Sequence, residues 1–350
     1  MNVVRIVSGG RAEGAAPMEQ GLYERSVTPI EGAPAIAVEP CPACDARSAV
    51  PVFAVEGVPH PLVRCACGLG RYAVTPDERQ VREFYPDDYY GVPGVKFRGA
   101  VEWLVRMAGA GHARLLTRGL RPGARVLDVG CGRGVLLSAL SDQGFESHGV
   151  EVSEAACSGA DPRAHIRIAA RLARARYDAG QFDAVILWHV LEHLRDPLET
   201  LEETRRILRP GGRLSIAVPN FASLQAGWAR EHWFHLDPPR HLFHFSLPAL
   251  RALVIRAGFT AGSEHHFSLR QNPFGWIQSA LNRRADLPRN GLYTLLHQRG
   301  PGEPPPFDAS TRRRLLLATL PWAPLSLLLT AAETAVRRGA TVHLTATSRP

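Results

Sequence analysis

Three groups of residues have the types and spacing to do chemistry. Cys41-Pro42-Ala43-Cys44 and Cys65-Ala66-Cys67-Gly68 are two thiol pairs about twenty residues apart. That is the arithmetic of a structural zinc ribbon with Cys41, Cys44, Cys65 and Cys67 as ligands. The second pair is one residue shorter than Cys-x-x-Cys, and reduced, buried thiols are the other reading. Gly130-Cys131-Gly132-Arg133-Gly134 is a glycine loop, with Asp128 two residues before it and Glu151 downstream. His232, His235, His241, His244, His265 and His266 crowd one later stretch.

The glycine loop lies between an apolar strand, Arg125 to Val129, and a helix, Val135 to Gln143. That turn is the usual nucleotide site of a doubly wound sheet. A phosphate-cradling P-loop needs Lys-Ser/Thr after the glycines, and Val135-Leu136 stand there instead. A dinucleotide loop reads G-x-G-x-x-G, whereas here Val135 fills the third glycine position. Asp128 would repel a pyrophosphate at the helix N-terminus and favour an ammonium or sulfonium. Glu151, at the end of the second strand, is placed to accept from two ribose hydroxyls. A ligand with ribose, positive charge and no phosphate is S-adenosylmethionine.

Val126 to Gly134 resembles the first motif of class I S-adenosylmethionine-dependent methyltransferases, and Gly149-Val150-Glu151-Val152-Ser153 resembles their second. Phe182 to Leu194 is similar to their fourth-strand segment, and Leu208-Arg209-Pro210-Gly211-Gly212 to the turn before strand five. The resemblance covers about residues 120–270 and implies a Rossmann-like, mainly parallel seven-stranded sheet. It implies that Asp128, Gly130, Cys131, Gly132 and Gly134 shape the methionine pocket, and that Glu151 binds ribose with Val152 beside the adenine. Trp188 and His189 would lie near the sulfonium. The acidic residue the family often carries after strand three is replaced by Ala169-Ala170-Arg171.

Methyl transfer needs an aligned acceptor, exclusion of water and sometimes a base, so its catalytic residues leave a faint signature. Trp188-His189-Val190-Leu191 stands where amino-methylating enzymes carry Asp/Asn-Pro-Pro-Tyr/Phe, and no Pro-Cys nucleophile is present there. Both absences argue against DNA as substrate. Glu231 to Ser246 follows strand five, at the carboxyl edge of the sheet, and resembles the same segment of a bacterial methyltransferase subfamily that often carries an N-terminal Cys cluster. Its histidines read three ways: a metal site on the His-x-x-His spacings, a substrate pocket with one base, or structural residues. His189, His241 and His244 are the candidate bases. The expected reaction is O-methylation of a small molecule, glycan or lipid-linked precursor. Sugar C-methylation and a non-catalytic cofactor- or nucleic-acid-binding module are the alternatives.

The elements that must position these residues alternate strand and helix from residue 122, so the fold class is α/β with a doubly wound sheet. Residues 1–36 read as a mostly disordered tail, 37–75 as the zinc-ribbon-like module and 76–118 as a helical cap. Its apolar stripe runs through Val101, Leu104, Val105, Leu115 and Leu116. The methyltransferase core is expected over 119–270, with strand six from Ala261 to Leu269. Residues 271–339 form a helical insertion, and Thr341 to Ala346 the last strand within 340–350. Within the insertion Arg312-Arg313-Arg314 precede an uncharged run, Leu315 to Ala332, broken by Pro321 and Pro324. It reads either as a kinked lid buried on the core or as a membrane-facing hairpin, with 312–338 as a peripheral contact.

The chain has 350 residues, 45% hydrophobic and 21% charged, with a net charge of +8, which excludes wholesale disorder. All of the 41 basic residues but Lys96 are arginine, scattered rather than gathered in one stripe, which argues against a nucleic-acid footprint. Six cysteines are too sparse for a disulfide scaffold. Met1 to Val7 carries one Arg and no long apolar run, so a signal peptide is not expected; the location expected is cytoplasmic, with or without membrane association.

Overall fold

The computed structural model describes residues 30, 32–85, 97, 100–298 and 304–349. The expected disordered tail falls largely outside them. Short alternating segments give β1 (Ile36–Ala37), β2 (Ser48–Phe53), β3 (Leu62–Arg64) and β4 (Gly70–Tyr72), paired antiparallel in sequence order. Helix α1 (Glu78–Glu83) follows, then α2 (Ala100–Leu116). The single cap helix expected over 76–118 is therefore two helices, and residues 86–96 and 98–99 lie outside the described residues. Leu115 is exposed, while Ala113 and Leu116 meet the core, because Leu115 falls on the outer face of the last turn.

The core runs β5 (Arg125–Val129), α3 (Val135–Asp142), β6 (Glu146–Glu151), α4 (Glu154–Cys157), β7 (His165–Ile168), β8 (Phe182–Trp188), α5 (Pro197–Ile207) and β9 (Leu208–Pro219). After it come α6 (Leu224–Ala229), β10 (Phe243–His244), α7 (Leu247–Arg256) and β11 (Phe259–His265). Strand β11 ends before the expected Leu269, since Phe267 and Leu269 turn out to solvent. The insertion supplies α8 (Asn272–Asn282), α9 (Gly291–Leu296), α10 (Ala309–Thr319) and α11 (Trp322–Ala335), and β12 (Thr341–Ser348) closes the chain.

The large sheet has seven strands in the order β11-β12-β9-β8-β5-β6-β7, with β12 antiparallel to both its neighbours and the other pairings parallel. Its central strands are buried on both faces, and the period of two sorts them into two cores. Leu127, Val185 and Leu187 join Leu214, Leu250 and Leu253 on one face. Val126, Ala184 and Ile186 join Leu136, Leu137 and Leu140 on the other. This is the expected α/β, doubly wound, Rossmann-like arrangement, and it fixes which side chains emerge at the carboxyl edge.

The small sheet takes its fifth strand from the core: β10 pairs with β4 through Phe243–Arg71 and His244–Gly70. The four cysteine sulfurs at its end all lie within 4.8 Å of one another. Cys41 Sγ is 3.6 Å from Cys67 Sγ, and Cys44 Sγ 3.4 Å from Cys65 Sγ. Four thiolates around zinc at about 2.3 Å stand about 3.8 Å apart, so this set fits the metal. The short Cys65-x-Cys67 spacing is absorbed by a turn, with Gly68 at φ 88 and its N–H donating to the Cys65 carbonyl at 2.9 Å. Hydrogen bonds within the cluster hold the Cys65 thiol down and push Cys41 and Cys67 up. Arg256 of α7 donates to the carbonyls of Cys41 and Pro42, which ties this zinc-ribbon-like module to the core.

Helix α11 turns Ser326, Thr330 and Glu333 inward, and Glu333 is fully buried. Trp276 Nε1 donates to its Oε2 at 3.1 Å and the Ala340 N–H to its Oε1 at 3.2 Å. Burial outweighs these bonds and pushes its pKa up to about 8 from 4.5. A carboxyl raised by folding contributes stability that is full at low pH and declines as pH rises through that interval.

Urea unfolding of the native chain should therefore weaken between about pH 6 and about pH 8. Glu333→Gln should lower stability by about 1–3 kcal/mol, because an amide offers one acceptor to two N–H donors. It should also flatten that pH slope, and an unchanged slope would remove Glu333 as its source. Elemental analysis of the purified chain should find about one zinc per molecule, lost in Cys44→Ser together with thermal stability. Metal-free protein with the native melting profile would rule the zinc out.

Candidate active site

The glycine loop leaves β5 at the carboxyl edge, where Gly130, Gly132 and Gly134 have φ of 69°, 50° and 72°. A Cβ at Gly130 would lie 2.6 Å from Val190 Cγ2, so side chains are barred there by space as well as by φ. Gly134 caps α3. A Cβ at Gly132 would meet nothing within 4 Å, so the loop faces open space at its middle. Glu151 binds the loop from β6: the Gly132 N–H donates to its Oε2 at 2.9 Å and the Val152 N–H to its Oε1 at 2.7 Å. Beneath them Asp128 is buried, and burial first, then Glu151, pushes its pKa up to about 8.

Two carboxylates beside an open glycine cradle fit S-adenosylmethionine, whose cation and ribose hydroxyls supply the charge and donors they lack. The other expected contacts are placed differently. The Cys131 thiol is packed into the sheet, so close to Gly149 that a Cβ there would meet it at 2.7 Å; only the Cys131 backbone reaches the loop surface. Val152 is exposed beside Glu151. Trp188 is half-buried and stacks on His112 of α2 at 3.9 Å, and its Nε1 has no partner among the described residues.

His189 follows β8 and holds φ 54°, a conformation that costs a β-branched or bulky residue about 1–3 kcal/mol and clusters at functional sites. Its N–H donates to the Ala217 carbonyl of β9 at 2.9 Å, which fixes the turn. Its Nδ1 lies 3.2 Å from Glu192 Oε1, and its Nε2 has no partner among the described residues. Burial first, then the charge of Arg270, lowers its pKa to about 3, so the ring is neutral. Burial raises the Glu192 carboxyl.

His241 joins this group rather than His244. The ligand atoms of Glu192, His193 and His241 lie within 4.8 Å of one another, so these three could hold a metal. The neighbouring His-x-x-His pairs do not form such a set among the described residues. His241 Nδ1 is 2.8 Å from the His235 carbonyl, and His193 Nδ1 is 2.8 Å from the Tyr85 hydroxyl. Asp237 stands 3.8 Å from His241 Nε2 and is ion-paired to Arg240 at 3.0 Å. His244 lies on β10, edge-on to Tyr72 at 5.9 Å and beside Phe221 at 5.5 Å, where the small sheet meets the core. Sequence reasoning missed Glu192, Asp237 and Arg270. Glu192 sits three residues after His189, in the short 3-10 turn Leu191–His193 that follows the left-handed His189, and its closeness in sequence was the available signal.

A family model described as "Methyltransferase domain" matches residues 101–264. A ubiquinone biosynthesis O-methyltransferase from Psychrobacter arcticus is 30% identical over 202 residues, covering 52% of this chain and 72% of the relative. One from Aromatoleum aromaticum is 31% identical over 129 residues, covering 34% of this chain and 50% of the relative. The chain spans about half the length of most such curated relatives. A phosphoethanolamine N-methyltransferase 2 from Haemonchus contortus, solved with S-adenosyl-L-methionine, aligns at a TM-score of 0.45 and 15% identity, over 77% of this chain and 60% of that one. With the glycine cradle, its two carboxylates and the seven-stranded order in place, the chain belongs to the class I S-adenosylmethionine-dependent methyltransferases.

Proposed function

We propose that the chain methylates a hydroxyl of a small-molecule acceptor, with His189 as the base. The observation that carries this reading is the placement of His189, turned at the carboxyl edge beside Glu192 with Nε2 unpartnered among the described residues. Names of relatives that act in ubiquinone biosynthesis support oxygen as the methylated atom. S-adenosylmethionine, when bound, supplies a methyl group on a sulfonium that leaves as a neutral thioether. Asp128 and Glu151 orient that cation and its ribose through charge and hydrogen bonding. His189 takes the hydroxyl proton at Nε2 as the acceptor oxygen bonds to carbon. Glu192, 3.2 Å from the other ring nitrogen, fixes the orientation of the ring. Arg270 opposes the charge that the proton brings, so it would suit an acceptor whose own negative charge neutralises it.

Calorimetric titration should show S-adenosylmethionine and S-adenosylhomocysteine binding and no binding of NAD. Glu151→Ala should weaken both about tenfold or more while the chain stays folded. Equal affinity in that variant would remove Glu151 from the ribose role. His189→Asn should leave cofactor affinity near native and lower kcat about 10²- to 10⁴-fold with a hydroxyl acceptor. Because burial keeps His189 neutral, the native rate should show no acid limb near pH 6.5. A full rate in the variant would exclude His189 as the base.

A further inference from the structure

The insertion contains a helix pair built inside out. Helix α11 buries Ser326, Thr330 and Glu333 against α8 and exposes Leu325, Leu327, Leu328 and Val336. Helix α10 buries Leu315 and exposes Leu316, Leu317 and, at its end, Leu320. Leu328 is 70% and Leu320 65% exposed, values that water alone does not favour for leucines grouped on one surface. The two helices are bent by 43° at the break between them. Together they run for about 40 Å at 1.5 Å per residue. No single helix among the described residues is long and apolar enough to cross a membrane.

Both ends of the pair are tied to the protein. Arg314 donates to the Asp286 carbonyl at 3.2 Å, and β12 pairs with β9 and β11 directly after α11. A segment returned to the same sheet cannot leave its far end across a bilayer. It can lie in the plane of one. The charges suit that position: Arg312, Arg313 and Arg314 stand at the start of α10, with Arg313 and Arg314 exposed, and just after α11 the exposed Arg337 is ion-paired to Glu264 while Arg338 donates to the Ala222 carbonyl. Trp228 and Trp322 pack at 5.6 Å at the start of α11, with Arg283 over the Trp228 ring at 4.8 Å. Tryptophan and arginine are the residues that settle at the headgroup level. We propose that α10 and α11 dock the protein on an anionic lipid surface, with the leucines among the acyl chains and the flanking arginines on the headgroups. Helix α8 joins this face to the acceptor segment, since the Phe234 N–H donates to Ser279 Oγ at 2.9 Å. The docking does not depend on the methyl-transfer reading.

Cosedimentation of the full chain with phosphatidylglycerol-containing vesicles should capture it, and pure phosphatidylcholine vesicles should capture about tenfold less. The double variant Leu327→Glu, Leu328→Glu, at solvent-facing positions, should keep the native circular dichroism and lose vesicle binding about tenfold or more. Arg313→Glu should weaken binding severalfold, and added salt should weaken the native chain in parallel. No capture of the native chain by anionic vesicles would overturn the proposal. So would equal binding by a folded double variant, or a native dimer that the double variant converts to monomer, which would assign the leucines to a second copy.

Discussion

The hydrogen bond from the Gly132 N–H to the Glu151 carboxylate joins the ends of the two strands on which the site is built. It holds the glycine loop over Asp128, whose pKa is raised by burial first and then by Glu151. The rest of the sheet is arranged so that this loop can exist. Gly130 needs room beside Val190, Gly149 makes way for Cys131, and β5 must lie between β6 and β8 for both contacts to form. The site is polar because two carboxylates are buried together with no cation of the protein's own beside Asp128 among the described residues. A bound cation there would favour the charged form of Asp128 that burial opposes.

The histidine-rich side of the carboxyl edge is built by a different rule. Here the chain buries histidines instead of acids, and burial keeps them neutral. His189, His193 and His235 are all lowered first by loss of water. A neutral imidazole can accept a proton, and Glu192 fixes the orientation of the His189 ring. The segment from Trp233 to His244 reaches this region from the core and also lends β10 to the small sheet. The cysteine module and the histidine-rich segment are joined by the β4–β10 pairing and by Arg256, which donates to the Cys41 carbonyl.

The insertion reverses the usual partition of side chains. Its polar residues face α8, and its leucines face outward. Glu333 is tolerated inside because Trp276 and Ala340 supply donors, and because burial favours its protonated form. A helix of mean composition like α11 would normally be read as core, and only its orientation says otherwise.

Residue types and their spacing were enough to carry the family resemblance and the expectation of a cofactor loop. Those depend on short-range constraints: glycines where φ must be positive, an acid at each strand end, and turns at fixed offsets. Spacing also marked Cys41, Cys44, Cys65 and Cys67, since ligand pairs sit close in sequence. Which distant groups meet depended on the folded chain. Glu192 and His241 are 49 residues apart in the chain and share one cluster, while the near neighbour His244 points to Tyr72. For α10 and α11 the sequence left a buried lid and an outward-facing hairpin both open. An uncharged run has the same composition whether its leucines are covered or exposed, and the side that is covered is set by α8, a partner that no local pattern specifies.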